Sequence, residues 1–336
     1  KHTLESRPSW VQDLVVYQIY PRSFQDSNGD GVGDLPGICR RLDYLQSLGV
    51  NALWLSPVYR SPNDDNGYDI SGYQEIMEEF GTMADWEALR DGCRARGIRL
   101  IMDLVVNHSS DEHPWFAESR SSRGNPKSEY YIWHDPAPDG GPPNNWASVF
   151  GGSAWEFEPR RGQYYLHIFS KKQPDLNWAC KALREELLAM MDWWAQRGVD
   201  GFRVDAISYL EKPQGFPDSP LPPQPDGYSL FNNWAAGSEG THRYIRMMHD
   251  RVLVTVGEVS LNAPEEIASY VDPDRREFTM AIPFVPPAVE IAAWSPKKLL
   301  ADACRDWRLL GERGWWARFL SNHDKPRQVS LYGSEG

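Results

Sequence analysis

The sequence predicts an α/β fold, a (β/α)8 TIM barrel with a small domain inserted after its third strand. Three observations carry this expectation. Short, near-continuous apolar runs alternate with segments of helical period, as a buried parallel sheet under covering helices requires. Acidic residues recur at the C-terminal ends of those runs, where such a barrel builds its active site. One stretch, from about 109 to 178, is too long for a βα loop and is rich in Gly, Pro, Asn and aromatic residues.

The elements follow in order. The β-branched and aromatic run DLVVYQIY (13–20) is the first strand, and LPGICRRLDYLQSLGV after it carries apolar positions at helical spacing. NALWLSP (51–57) is a second strand, TMADWEALRDGCRARGI a helix and RLIMDLVV (99–106) a third strand. Beyond the irregular stretch come helix ALREELLAMMDWWAQRGV, strand DGFRVD (200–205), helix THRYIRMMHDR, strand VLVTVGE (252–258) and a short helix at APEEIASYV. Strand FTMAIPF, helix SPKKLLADACRDWRLLGERG and strand WARFLSN (316–322) close the series. Residues 1–108 and 179–336 therefore form the barrel domain, with 109–178 as the insert. The series contains seven strands. An eighth is missing, since the chain stops at SLYGSEG soon after the seventh.

Composition narrows the function. The formal charge of −12 argues against nucleic acid or an anionic membrane as partner, because both need clustered Lys and Arg. Trp 15, Tyr 15 and Phe 12 make a heavy aromatic load; most of these belong to the core, and flat aromatic faces are also one way to bind sugars. Cys39, Cys93, Cys180 and Cys304 are far apart and show no zinc or disulfide spacing, which favours a reducing compartment and a cytoplasmic protein. The longest apolar runs, such as LIMDLVVN, are well short of the ~18 residues of a membrane helix.

The polar residues at strand ends supply the chemistry. Arg203 and Asp205 lie two apart on one strand and leave the same face, as do Asp103, Val105 and Asn107 on another, with His108 following. Glu258 ends VTVGE, and His323 and Asp324 follow the last strand in LSNHDKPR. Asp205, Glu258 and Asp324 thus converge at one mouth. Convergent carboxylates are the apparatus of glycoside hydrolysis: one attacks the anomeric carbon and another, kept protonated by a raised pKa, donates to the leaving oxygen. Arg203 beside Asp205 is expected to hold that nucleophile ionised.

A different pattern stands at DSNGDGVGD (26–34). Asp26, Asn28, Asp30 and Gly31 match the first half of a calcium-binding EF-hand loop, but position twelve, which needs a bidentate Glu, is Gly37.

These residues carry a resemblance. DLVVNH, GFRVDAI, VGEVS and FLSNHD, in that order, with QPDLNW (173–178), resemble the signature regions of the α-amylase superfamily, glycoside hydrolase family 13, in its oligo-1,6-glucosidase and α-glucosidase branch. The resemblance implies a retaining hydrolase releasing α-glucose from the non-reducing end of short α-glucosides by double displacement. Asp205 would be the nucleophile, Glu258 the general acid and base, and Asp324 the stabiliser of the transition state, with His108 and His323 on the same sugar. Tyr68 in DDNGYDI looks like the family's stacking platform, Asp65 like the acid closing the pocket, and Phe150, Phe169 and Gln173 like its walls. The 26–34 loop would hold a structural Ca2+, or Mg2+, through Asp26, Asn28, Asp30 and Asp34 and the carbonyl of Val32; no organic cofactor is implied. Ala206, small beside the nucleophile, favours α-1,4 links or both α-1,4 and α-1,6. The same scaffold also serves transglycosidases and sucrose-isomerising enzymes, trehalose-6-phosphate hydrolases and, without an intact catalytic set, non-catalytic heavy subunits of transporters. The family's final strand and C-terminal β-domain are not found here, so the chain is expected to be a piece of a longer protein.

Overall fold

The computed structural model describes residues 9–231, 237–260, 264–283, 295–310, 314–319, 321–327 and 330. The expected element ends at 263, 284, 311–313 and 320 lie outside them. In chain order the first half contains β1 (Val16–Ile19), α1 (Pro21–Phe24), α2 (Leu35–Arg40), α3 (Leu42–Ser47), β2 (Ala52–Leu55), β3 (Tyr59–Arg60), β4 (Gly72–Ile76), α4 (Met83–Ala95) and β5 (Arg99–Leu104). Then follow α5 (Pro114–Ser119), β6 (Trp133–His134), β7 (Trp146–Ala147), β8 (Trp155–Glu158), β9 (Gln163–Leu166) and α6 (Lys181–Arg197). The last part holds β10 (Gly201–Val204), β11 (Ser229–Leu230), α7 (Glu239–His249), β12 (Val254–Val259), α8 (Pro264–Ser269), β13 (Met280–Pro283) and α9 (Pro296–Leu310).

Strands β1, β2, β5, β10, β12 and β13 form one six-stranded sheet in that order, with every pair parallel. Their inward side chains, including Trp54, Ile101, Val256, Met280 and Ile282, make one apolar cluster. The outward ones pack under the helices, as Leu53 and Leu55 do with Trp86 and Leu89 of α4. Local chemistry places the helix ends: Thr82 and Asp85 close a capping box at the start of α4, and Gly198 ends α6 in the left-handed region (φ 95°).

Three features differ from expectation. The first predicted helix is two, because the chain leaves helical geometry at Arg41 (φ −106°, ψ 4°). The seventh predicted strand shrinks to an isolated parallel bridge between Ala281 and Trp316. There the Ala281 N–H donates to the Trp315 carbonyl and the Ala317 N–H to the Ala281 carbonyl. The next donor along β13 would be Pro283, which has no N–H, so the ladder stops. Finally, the connection after β10 is itself long and structured: β11 pairs parallel with β7, inside the 109–178 stretch.

That stretch has its own antiparallel sheet, ordered β6, β9, β8. Its ends meet beside β5, where the Leu176 N–H donates to the Asn107 carbonyl and Trp178 Nε1 to the Val106 carbonyl at 2.7 Å. Its apolar cluster, centred on Trp146, Trp155 and Leu166, takes in Ala206, Tyr209 and Phe231 from the connection after β10. The segment is thus welded to the mouth of the barrel.

Candidate active site

At the C-terminal ends of β5, β10 and β12 the register sets Arg203 directly opposite Asp103. Arg203 is 1 % exposed and organises the centre. Its Nη1 donates to Asp103 Oδ1 at 3.0 Å and to Asp205 Oδ1 at 2.6 Å, and its Nη2 donates to Glu258 Oε2 at 2.6 Å. Arg203 Nε has no protein partner, and the side chain lines a cavity of about 170 Å3 with room for bound water. Asp103 is a second hub, also accepting from Trp54 Nε1 at 3.0 Å and from the Tyr68 hydroxyl at 3.1 Å.

The charges are divided in an unexpected way. Burial, only partly offset by Arg203, pushes Asp205 well above the usual carboxylate range. Burial also acts on Glu258, but the Arg203 charge, a hydrogen bond with Asp205 and the Ala206 N–H at 3.2 Å together hold it below its ordinary value. In the sugar-free site burial thus weighs more on Asp205 than the Arg203 charge that was expected to hold it ionised. The two acids are close enough to share one proton, and Glu258 keeps the better set of donors.

His323 follows the Trp316 bridge and reaches back over the centre. Gln18 Nε2 donates to its Nδ1 at 2.9 Å, and its Nε2 lies 2.9 Å from the Tyr68 hydroxyl. That hydroxyl already donates to Asp103, so His323 Nε2 carries the proton and donates to it. Tyr68, expected as a platform for a sugar, is itself stacked against His323, with centroids 5.4 Å apart and planes 5° apart. Burial and the nearby Arg203 charge lower the His323 pKa. Asp324, 3.4 Å from His323 Nε2, is exposed, and its carboxyl is raised by burial of its head group and by the Glu258 charge. It lies beside the Asp205 and Glu258 pair and shares no hydrogen bond with either.

Asp65, Tyr68, His108 and Gln173 form a second knot. Gln173, fully buried, donates from Nε2 to Asp65 Oδ2 at 2.9 Å and to the Tyr68 carbonyl at 3.3 Å. His108 Nε2 lies 3.1 Å from the same carbonyl, and burial lowers its pKa. Phe169 packs on His108 at 5.1 Å, and Phe150 stands 61 % exposed at the rim beyond it.

The 26–34 loop is closed by its own acids. Asp26 accepts from the N–H groups of Asn28, Gly29 and Gly31, Asn28 Oδ1 from that of Asp30, and Asp30 Oδ1 from that of Val32. Asp34 is buried; it accepts from Ser27 and caps α2 through the Gly37 N–H at 2.6 Å. Among the described residues no group of three or more His, Cys, Asp or Glu side chains is gathered as for a metal ion. The donor set is nevertheless all oxygen, the kind a hard divalent cation takes, and each carboxylate has lone pairs beyond those used by the amides.

Sequence reasoning missed four participants. Asp103 was placed on the right face without a role, because its pairing with Arg203 depends on a register between strands 100 residues apart. Trp54 and Gln18 read as ordinary strand residues. Lys212, buried against Asp175 at 2.8 Å, lies in a Pro-rich connection with no periodic signal.

Fold and site together define a class: parallel α/β-barrel proteins with an arginine-held carboxylate centre at the strand C-termini. Within it, the chain belongs to the α-amylase family, whose catalytic-domain pattern matches residues 18–336. It is 50 % identical, over 97 % of its length, to an oligo-1,6-glucosidase of Halalkalibacterium halodurans, and 46 % identical, over 97 %, to an α-glucosidase of Pediococcus pentosaceus. In each case it spans 60 % of the relative. Among solved structures, a trehalulose synthase in complex with Tris superposes with TM-score 0.89 at 44 % identity, covering 98 % of this chain and 60 % of that one. A trehalose-6-phosphate hydrolase of Bacillus licheniformis gives 0.87 at 43 %, covering 97 % and 60 %.

Proposed function

We propose that the complete protein is a retaining glycosidase that releases α-glucose from the non-reducing ends of short α-glucosides, with α-1,4 and α-1,6 links both accepted. The observation that carries this reading is the guanidinium of Arg203, which holds Asp205 and Glu258 at 2.6 Å each on neighbouring strand ends. A sugar entering between the two acids separates them. Asp205 passes its proton to Glu258 and, left ionised beside Arg203, attacks the anomeric carbon, while Glu258 gives that proton to the departing oxygen. In the second half Glu258 takes a proton from water, whose oxygen attacks the same carbon and frees Asp205. Asp324 with His323 grips the hydroxyls, while Asp65, Gln173 and His108 define the closed end. Tyr68, Phe150 and Phe169 are the apolar wall.

Metal enters as a second part of the reading. Asp26, Asn28, Asp30, Asp34 and the Val32 carbonyl would hold Ca2+ or Mg2+ as a staple between β1 and α2, remote from the reacting atoms. Four unpaired cysteines support a cytoplasmic setting. No helix among the described residues is long and apolar enough to cross a membrane.

The test is a proton-NMR time course with maltose, isomaltose and sucrose in parallel. α-Glucose appearing first from maltose or isomaltose supports the reading, and the ratio of rates gives the linkage. β-Glucose as first product removes Asp205 as nucleophile. Conversion of sucrose into an isomer would assign instead the reaction of the trehalulose synthase to which the fold is similar.

A further inference from the structure

Behind His108 lies a buried network in which every hydrogen can be counted. Lys212 Nζ donates to Asp175 Oδ2 at 2.8 Å, to Asn107 Oδ1 at 3.2 Å and to the Tyr209 carbonyl, so its three hydrogens have three acceptors. Asn107 Nδ2 donates to Asp175 Oδ2 at 3.3 Å and faces His108 Nδ1 at 3.2 Å, so its two hydrogens are also placed. Asp175 Oδ1 accepts from the Ile168 N–H. Turning the Asn107 amide over would set its NH2 against the ammonium of Lys212 and its oxygen against the Asp175 carboxylate. Two opposite charges therefore pin the amide in one orientation.

The consequence passes to the imidazole. With Asn107 Nδ2 donating to it, His108 Nδ1 is an acceptor, so the ring proton sits on Nε2 and points to the Tyr68 carbonyl at 3.1 Å. Gln173 Nε2, 3.3 Å from the same nitrogen, spends both its hydrogens on Asp65 and Tyr68, so it makes no competing demand. We propose that Lys212 is a positioning residue which, through Asn107, locks His108 as its Nε2–H tautomer and so gives the pocket a fixed donor. That this N–H turns from the Tyr68 carbonyl to a sugar hydroxyl when a sugar enters rests on the function proposed above. The tautomer itself does not.

The experiment reads the imidazole nitrogens of the labelled, sugar-free protein by NMR, between pH 6 and 8. The wild type should show His108 neutral with its proton on Nε2. Asn107→Asp, which replaces the donor to Nδ1 by an acceptor, should move the proton to Nδ1 or charge the ring. Lys212→Met with Asp175→Asn, paired so that no lone carboxylate stays buried, should free the amide and give a mixture of tautomers. With a short α-glucoside, Asn107→Asp should raise KM about tenfold with little change in kcat, the loss of one uniform binding hydrogen bond. Wild type with its proton on Nδ1, a folded Asn107→Asp variant whose ring stays neutral with the proton on Nε2, or a folded Lys212→Met, Asp175→Asn variant that keeps the single Nε2–H tautomer, overturns the lock. A shifted tautomer with unchanged KM upholds the lock and removes the sugar contact from the function proposed.

Discussion

Arg203 divides its guanidinium among three acids, and the division decides which of them is charged. Because Asp205 is raised, its contribution to stability is present at pH values below the unfolded carboxylate pKa and is lost as pH rises through the folded one. Glu258 is lowered, so its contribution is present above the unfolded value and is lost as pH falls through the folded one. At pH 7 the two neutral variants should then part company in a thermal melt. Asp205→Asn should melt no lower than wild type while losing at least about a thousandfold in kcat; retained turnover would remove Asp205 as nucleophile. Glu258→Gln should melt lower, and should hydrolyse an activated aryl glucoside far better than maltose, since a good leaving group needs little protonation. Equal losses on both substrates would count against its acid role.

At the scale of an element, α5 is the clearest titrating piece. Its N-cap is His113, whose Nδ1 accepts from the Trp115 N–H at 3.0 Å, and burial lowers the His113 pKa to about 4. A proton on Nδ1 turns the acceptor into a donor and breaks the cap. The folded pKa lies below the unfolded 6.5, so stability is intact above 6.5 and drains away as pH falls towards 4, by about 3 kcal/mol in all. His113→Asn, which caps without titrating, should flatten the fall in melting temperature over that window. An unchanged pH profile would assign the acid sensitivity elsewhere. Elements were also where the sequence was easiest and hardest to read. The buried strands announced themselves by unbroken apolar runs, because both faces of the sheet are covered. The two-residue strands β3, β4's partner, and β7, β11's partner, carry no period long enough to see. Pro283 is visible in the sequence, but its effect on the last ladder appears only once Trp316 is known to lie beside Ala281. The site was legible where acids stand at the ends of apolar strands, as with Asp205 and Glu258, which the structure sets on one guanidinium. It was illegible where a residue acts through neighbours distant in the chain, as with Asp103 and Lys212.

For the whole molecule, the 26–34 loop lies between α1 and α2, in the connection that follows the first strand of the sheet. If it holds a cation as proposed, chelation should lower the melting temperature by several degrees, and added Ca2+ should restore it, while kcat at moderate temperature stays within about twofold. Loss of activity without loss of stability would put the ion into the reaction. The architecture also has a meaning for inheritance and engineering. Trp146 of the inserted segment is packed at 4.7 Å from Phe231 of the connection after β10, and Ala206, next to the proposed nucleophile, lies in the same apolar cluster. Residues 109–178 are therefore not exchangeable alone. A chimera that takes only this segment from a relative would carry half of a core, whereas one that moves it together with residues 206–231 would carry the whole. Substrate preference, if written in these two stretches, can be transplanted only as a matched pair.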